Sequence, residues 1–62
     1  MPRKIRQLIA DLNRAGFTLT HQVGSHRKFE KDGKQVMLSG GKGDDAKKYQ
    51  EKAVEEAIKN AE

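Results

Sequence analysis

The stretch Val23-Gly24-Ser25-His26-Arg27-Lys28-Phe29 contains a turn, the start of a strand and the densest chemistry of the 62-residue chain. It holds a glycine, a hydroxyl, an imidazole, two cations and one aromatic ring. Neighbouring side chains of a strand point to opposite faces. Phe29 is the only apolar residue between His26 and Lys31, so we expect it to face the core. His26 and Lys28 would then share the open face.

The segments on either side predict two more strands. Residues 17–23 alternate, which is typical of a strand with one buried face. The residues expected on that face are Phe17, Leu19, His21 and Val23. His21 is therefore expected to be half-buried. After the central run, Asp32-Gly33 is the dipeptide favoured in a two-residue type I′ turn, and residues 35–38 return as the third strand.

A helix is predicted at each end of the chain. Apolar residues of the first recur at helical spacing: Ile5, Leu8, Ile9 and Leu12. We predict this helix over about residues 3–15, with Pro2 in its first turn and Gly16 at the left-handed C′ position. Phe17 would fold back on Leu12 in a Schellman contact.

The second helix follows a glycine-rich segment, residues 39–45, which lacks the spacing of a phosphate-binding loop. We therefore interpret that segment as a connection, with Asp44 or Asp45 capping the helix. The ridge expected to pack on the rest of the protein is Ala46, Tyr49, Ala53, Ala57 and Ala61, flanked by Val54 and Ile58. Tyr49 is thus expected in the core.

These elements predict an α+β fold with the order α-β-β-β-α. One three-stranded antiparallel sheet would carry both helices on a single face and leave its other face open. We expect one domain over residues 1–62, because a chain of this length buries only about 60% of its unfolded surface. The core is small, so binding of a partner or weak self-association would add stability.

Composition narrows the function classes. Residues 1–48 hold eleven Lys and Arg against five Asp and Glu, whereas residues 49–62 hold two against four. This asymmetry favours a polyanionic partner, although a merely solubilising basic surface remains the alternative. With no cysteine and two histidines, a structural metal site is not expected. No apolar run predicts a membrane span or a signal peptide, so we expect a cytoplasmic protein.

The chain resembles the HicA family, the toxins of HicAB toxin-antitoxin systems. The resemblance rests on Ala15-Gly16-Phe17, Gln22-Val23-Gly24-Ser25-His26, Phe29, Asp32-Gly33-Lys34 and Val36-Met37-Leu38. It implies a fold like that of double-stranded-RNA-binding domains and ribosome-independent cleavage of single-stranded mRNA. It also implies catalysis by His26 and a HicB-like antitoxin that covers the active face. The segment 38–47 differs from the family pattern, so its contacts are not carried over.

Metal-independent RNA cleavage needs no cofactor, only a proton acceptor, a proton donor and cations at the phosphate. His26 fits the acceptor or donor role. The residues expected to contact RNA are Gly24, Ser25, Arg27, Lys28, Lys31 and Lys42. A second imidazole, His21, could be the acid, but its expected burial favours a structural role. Two alternatives stay open: a module that binds RNA or an antitoxin without cutting, and a domain that binds only protein.

Overall fold

The structure of the chain, a computed structural model, describes the backbone of residues 3–61 and the side chains of residues 3–60. Its elements are α1 (Ile5–Arg14), β1 (Thr18–Val23), β2 (His26–Lys31), β3 (Lys34–Leu38) and α2 (Lys48–Ala61). This order confirms the predicted α-β-β-β-α arrangement. The expected position of Pro2 lies outside the described residues. Within them, no helix is both long enough and apolar enough to cross a membrane.

Helix α1 ends as the sequence predicts. Gly16 has a φ of 99°, which a glycine adopts without the strain that a Cβ would cause. The Gly16 amide donates to the Asn13 carbonyl (3.1 Å) and the Phe17 amide to the Leu12 carbonyl (2.9 Å). These two bonds form a complete Schellman motif. They turn the chain so that Phe17 enters the core beside Leu12.

Two tight turns connect the strands. Asp32 and Gly33 both have positive φ, 50° and 83°, as a type I′ turn requires, which confirms the predicted hairpin. Between β1 and β2, only Gly24 and Ser25 separate the paired residues Val23 and His26. Gly24 alone has positive φ in this turn, at 59°. A glycine at the first central position is typical of type II′ turns.

The sheet has the antiparallel order β1-β2-β3, with β2 in the centre. Phe29 of β2 pairs with Val36 of β3, and both side chains are buried. They belong to one core with residues of both helices, so the helices lie on the same face of the sheet. This core consists of Ile5, Leu8, Leu12, Phe17, Phe29, Val36, Leu38, Ala46 and Val54.

The predicted buried face of β1 is wrong. Every side chain of this strand is exposed, including Leu19 at 46% and Val23 at 62%. Strand β1 lies at the edge of the sheet, and of the four residues assigned to its buried face only Phe17, which precedes the strand, enters the core. The pairing with β2 is also irregular between Leu19 and His21. Strict alternation therefore fails, and His21 is exposed rather than half-buried.

The predicted packing of α2 also needs correction. Tyr49 is 65% exposed, and Ala53 is exposed as well. The helix instead buries Gln50 and Val54, with Ala57 and Ile58 partly buried. The buried residues of α2 thus follow the predicted ridge by one residue along the sequence. The expected side-chain packing of Ala61 lies outside the described side chains.

Neither predicted aspartate caps α2, because the helix begins only at Lys48. The Gln50 side chain accepts a hydrogen bond from the Lys47 amide (2.9 Å) and donates one to the Ser39 carbonyl (2.9 Å). Asp44 accepts a hydrogen bond from the Gly41 amide (2.9 Å), and Asp45 forms an ion pair with Lys4. The two aspartates therefore order the loop and attach it to the start of α1.

Replacement of Gly16 by alanine is expected to destabilise the protein. The left-handed backbone costs a residue with a Cβ roughly 1–2 kcal/mol, and the new Cβ would lie 3.2 Å from the Lys31 side chain. Gly43→Ala is the matched control, because Gly43 has no positive φ and no atom within 4 Å of the added Cβ. Urea unfolding measures both variants. Equal stability of the two would contradict the role of Gly16 at the end of α1.

Candidate functional site

The face of the sheet opposite the helices carries the imidazole and the cation singled out in the sequence. Residues paired across an antiparallel ladder share a face, so the register defines this surface. We call it the open face; its side chains are Thr18, His21, Val23, His26, Lys28, Glu30, Gln35 and Met37. The opposite side of the sheet holds the buried partners of the core.

His26 lies at one end of the open face. It is the first residue of β2, follows directly after the Gly24-Ser25 turn, and is exposed. Phe29, which is only 1% exposed, anchors the same strand in the core. Because the strand alternates, this anchor turns His26 toward solvent, in agreement with the orientation expected from the sequence.

Lys28 is the cation nearest to His26 on the open face. Two residues along a strand span about 6.5 Å, which places the ammonium within reach of a group bound at the imidazole. Lys28 forms an ion pair with Glu30 (3.2 Å) and is flanked by His21 on β1 and Met37 on β3. A surface ion pair of this kind contributes little to stability, so Lys28 can exchange Glu30 for a phosphate.

The turn that precedes His26 leaves its backbone accessible. A Cβ added at Gly24 would meet no atom within 4 Å, and Gly24 and Ser25 are both exposed. The Gln22 side-chain amide donates to the Gly24 carbonyl (3.0 Å) and thereby braces the turn. The turn is therefore open enough for a sugar-phosphate chain to approach it closely.

Arg27 lies on the other side of the sheet. Its residue exposure is only 7%, and its guanidinium donates to the carbonyls of Gly40 (2.8 Å) and Ser25 (3.3 Å). Buried polar groups are costly to leave unpaired, so these bonds hold the loop after β3 against the start of β2. These contacts give Arg27 a structural role, and its side chain lies on the opposite side of the sheet from His26.

Lys31 and Lys42 also lie away from His26. The Lys31 ammonium donates to the Ala15 carbonyl (2.6 Å), where it complements the negative end of the α1 dipole. Lys42 is exposed and, together with Arg27, borders a cavity of about 250 Å³ between α1 and the core side of the sheet. Of the predicted RNA-contacting residues, only Gly24, Ser25 and Lys28 accompany His26.

His21 lies on the open face, whereas the alternation in the sequence predicted it on the buried face. Counting from Phe17 places it on the core side, because the bulge in β1 interrupts the alternation. Counting back from the Gly24-Ser25 turn gives the correct face. A two-residue turn fixes the register, and it pairs His21 with Lys28. The Gly24-Ser25 turn therefore predicts the faces of β1 near His21 better than the alternation from Phe17 does.

Within the described part of the chain, no group of three or more His, Asp or Glu side chains is arranged to hold a metal ion. Comparison with curated proteins and with solved structures gives no significant match. A family model for the HicA toxin of bacterial toxin-antitoxin systems matches residues 5–62, which is nearly the whole chain.

The chain belongs to the HicA toxin family. Membership supports a toxin function and implies an antitoxin partner. The match extends through the segment 38–47. In this segment the Gly40 carbonyl accepts from the Arg27 guanidinium, and the Gly41 amide donates to Asp44.

Alanine substitutions at the adjacent residues Arg27 and Lys28 are expected to differ in their effect on stability. Arg27→Ala leaves the Gly40 and Ser25 carbonyls without their partner and should lower the free energy of unfolding by about 1–3 kcal/mol. Lys28→Ala removes a partly exposed surface ion pair and should cost less than about 1 kcal/mol. Urea unfolding and RNA-binding titrations separate the two effects. An Arg27→Ala protein of parental stability but reduced RNA affinity would contradict the structural role of Arg27.

Proposed function

We propose that this HicA-family chain is a metal-independent endoribonuclease that cleaves single-stranded mRNA, with His26 as a general acid or base. The proposal rests chiefly on one observation: His26 is exposed at the start of an anchored strand, beside an accessible turn. Imidazole is suited to this chemistry because it exchanges protons near neutral pH. Phe29, buried in the core on the same strand, keeps His26 on the open face.

The surroundings of His26 suit an RNA phosphate. Gly24 offers a backbone without a Cβ in the way, and Ser25 supplies a hydroxyl that can donate to a phosphate oxygen. Lys28 can neutralise the negative charge that develops on the phosphate oxygens in the transition state. Cleavage by the neighbouring 2′ oxygen yields a 2′,3′-cyclic phosphate and a 5′-hydroxyl end.

A HicB-like antitoxin is proposed to bind over the open face and block access to His26. This face exposes two apolar side chains, Val23 at 62% and Met37 at 59%, around the charged Lys28. Exposed apolar residues among polar ones are typical of protein interfaces. The net charge of +4 favours an acidic surface on the antitoxin. The cytoplasm, where mRNA is present, is the proposed location.

The alternative is a module that binds RNA or an antitoxin without cutting. It draws support from the position of Arg27, whose burial leaves Lys28 as the cation of the open face, already paired with Glu30. Such a module would bind RNA in a salt-sensitive way and release no product.

Replacement of His26 by alanine is expected to reduce RNA cleavage by about 10²–10⁴-fold, the usual contribution of a positioned general acid or base. Because the side chain is exposed, stability and RNA affinity should change little. Initial rates on a labelled single-stranded RNA, with urea unfolding of the same samples, measure this. Gln35→Ala, on the same face in β3, is the matched control and should retain parental activity.

Chelation with EDTA is expected to leave the cleavage rate unchanged. Analysis of the product ends should show the cyclic phosphate. A His26→Ala protein that cuts as fast as the parent would reject His26 as the catalytic residue. A parent protein that binds RNA but forms no product after long incubation would instead support the binding module.

A further inference from the structure

The register of β1 places a second imidazole on the open face. Leu19 pairs with Phe29 and His21 pairs with Lys28, so β1 advances by two residues where β2 advances by one. Thr20 is the extra residue of this bulge. In a regular strand His21 and Leu19 would share one face; here the Gly24-Ser25 turn holds His21 on the side of His26, and the extra residue puts Leu19 on the core side.

The register sets the separation of the two histidines. His21 is directly opposite Lys28, and His26 precedes Lys28 by two residues on the same strand. The histidines are therefore diagonal neighbours, whose Cα atoms lie about 7–8 Å apart in such a ladder. Both side chains are exposed. A phosphodiester fits between two imidazoles at this spacing, with a hydrogen bond of about 3 Å at each end.

The bulge serves the core rather than His21. With the register fixed at the Gly24-Ser25 turn, regular alternation back along β1 would put Leu19 and Phe17 on the open face. The extra residue at Thr20 returns Leu19 to the core side, next to Phe17, which is 1% exposed. The turn therefore sets the face of His21.

We propose that His21 carries out the second proton transfer of RNA cleavage, complementary to the one made by His26. The inference rests on the proposed ribonuclease function. The 2′ oxygen forms a bond to phosphorus while the bond from phosphorus to the 5′ oxygen breaks. One imidazole takes the 2′-hydroxyl proton, and the other, entering as imidazolium, gives its proton to the departing 5′ oxygen. Exchange with water restores both histidines.

The charged and titratable groups around His21 belong to β2, since β1 is an edge strand. Lys28 is directly opposite and is paired with Glu30, and His26 is on the diagonal. One neutral and one protonated imidazole are needed together, so the parental rate should rise and fall with pH. Loss of His21 should remove either the rising or the falling part of this dependence of the rate on pH.

The test compares His21→Gln, His26→Ala and the control Thr18→Ala, which alters an exposed open-face residue of the same strand. The cleavage site is first mapped with the parent protein. A second substrate then carries sulfur in place of the 5′ oxygen at that site, because a thiolate leaves without protonation. Single-turnover rates and RNA affinity are measured for each protein on both substrates, across pH.

His21→Gln is expected to cut the oxygen substrate about 10²-fold or more slowly than the parent, with unchanged RNA affinity. The sulfur substrate should restore the rate of one histidine variant, the one that lacks the acid, and not of the other. Thr18→Ala should behave as the parent.

Parental activity in His21→Gln overturns the inference while leaving His26 as the catalytic residue. So does a loss caused by weaker RNA binding, or a sulfur substrate that rescues both variants or neither. A parent protein that cuts no RNA overturns the inference and the proposed function together, and this outcome is recognised before any variant is compared.

Discussion

Burial of Phe29 in the central strand is the contact on which the arrangement of this HicA-family chain depends. Phe29 packs in one core with residues of both helices and of β3, so β2 cannot rotate about its axis. With the strand fixed, alternation sends Arg27 to the helix side and leaves His26 and Lys28 on the open face. The burial of Phe29 thereby puts Arg27 on one side of the sheet and His26 and Lys28 on the other.

On the helix side of the sheet, Arg27 binds the loop after β3. Its guanidinium holds the Gly40 carbonyl (2.8 Å), while the carbonyls of Lys42 and Asp44 accept from the Arg6 and Ile5 amides at the start of α1. The first amides of a helix need partners from outside it, and here the loop provides them. The loop after β3 therefore completes the hydrogen bonding at the start of α1.

The faces of β1 show where local patterns mislead. From Phe17 to Val23 the sequence alternates, yet the strand is an edge strand with an extra residue at Thr20. Register in a hairpin is fixed by its turn, and the Gly24-Ser25 turn carried the correct pairing of His21. For α2, alanines at helical spacing predicted that the alanine ridge would be buried. The helix instead buries Gln50, whose side chain bonds to Ser39 and Lys47.

The sequence by itself determined the element order, the Schellman end of α1 at Gly16, the Asp32-Gly33 hairpin and the orientation of His26. Each depends on local chemistry: backbone dihedral preferences, two-residue periodicity and one apolar residue among polar ones. Only the tertiary structure decided that Arg27 binds the loop, that Lys31 caps α1, and that β1 carries an extra residue at Thr20. Those outcomes depend on packing and on partners distant in sequence, which no local pattern specifies.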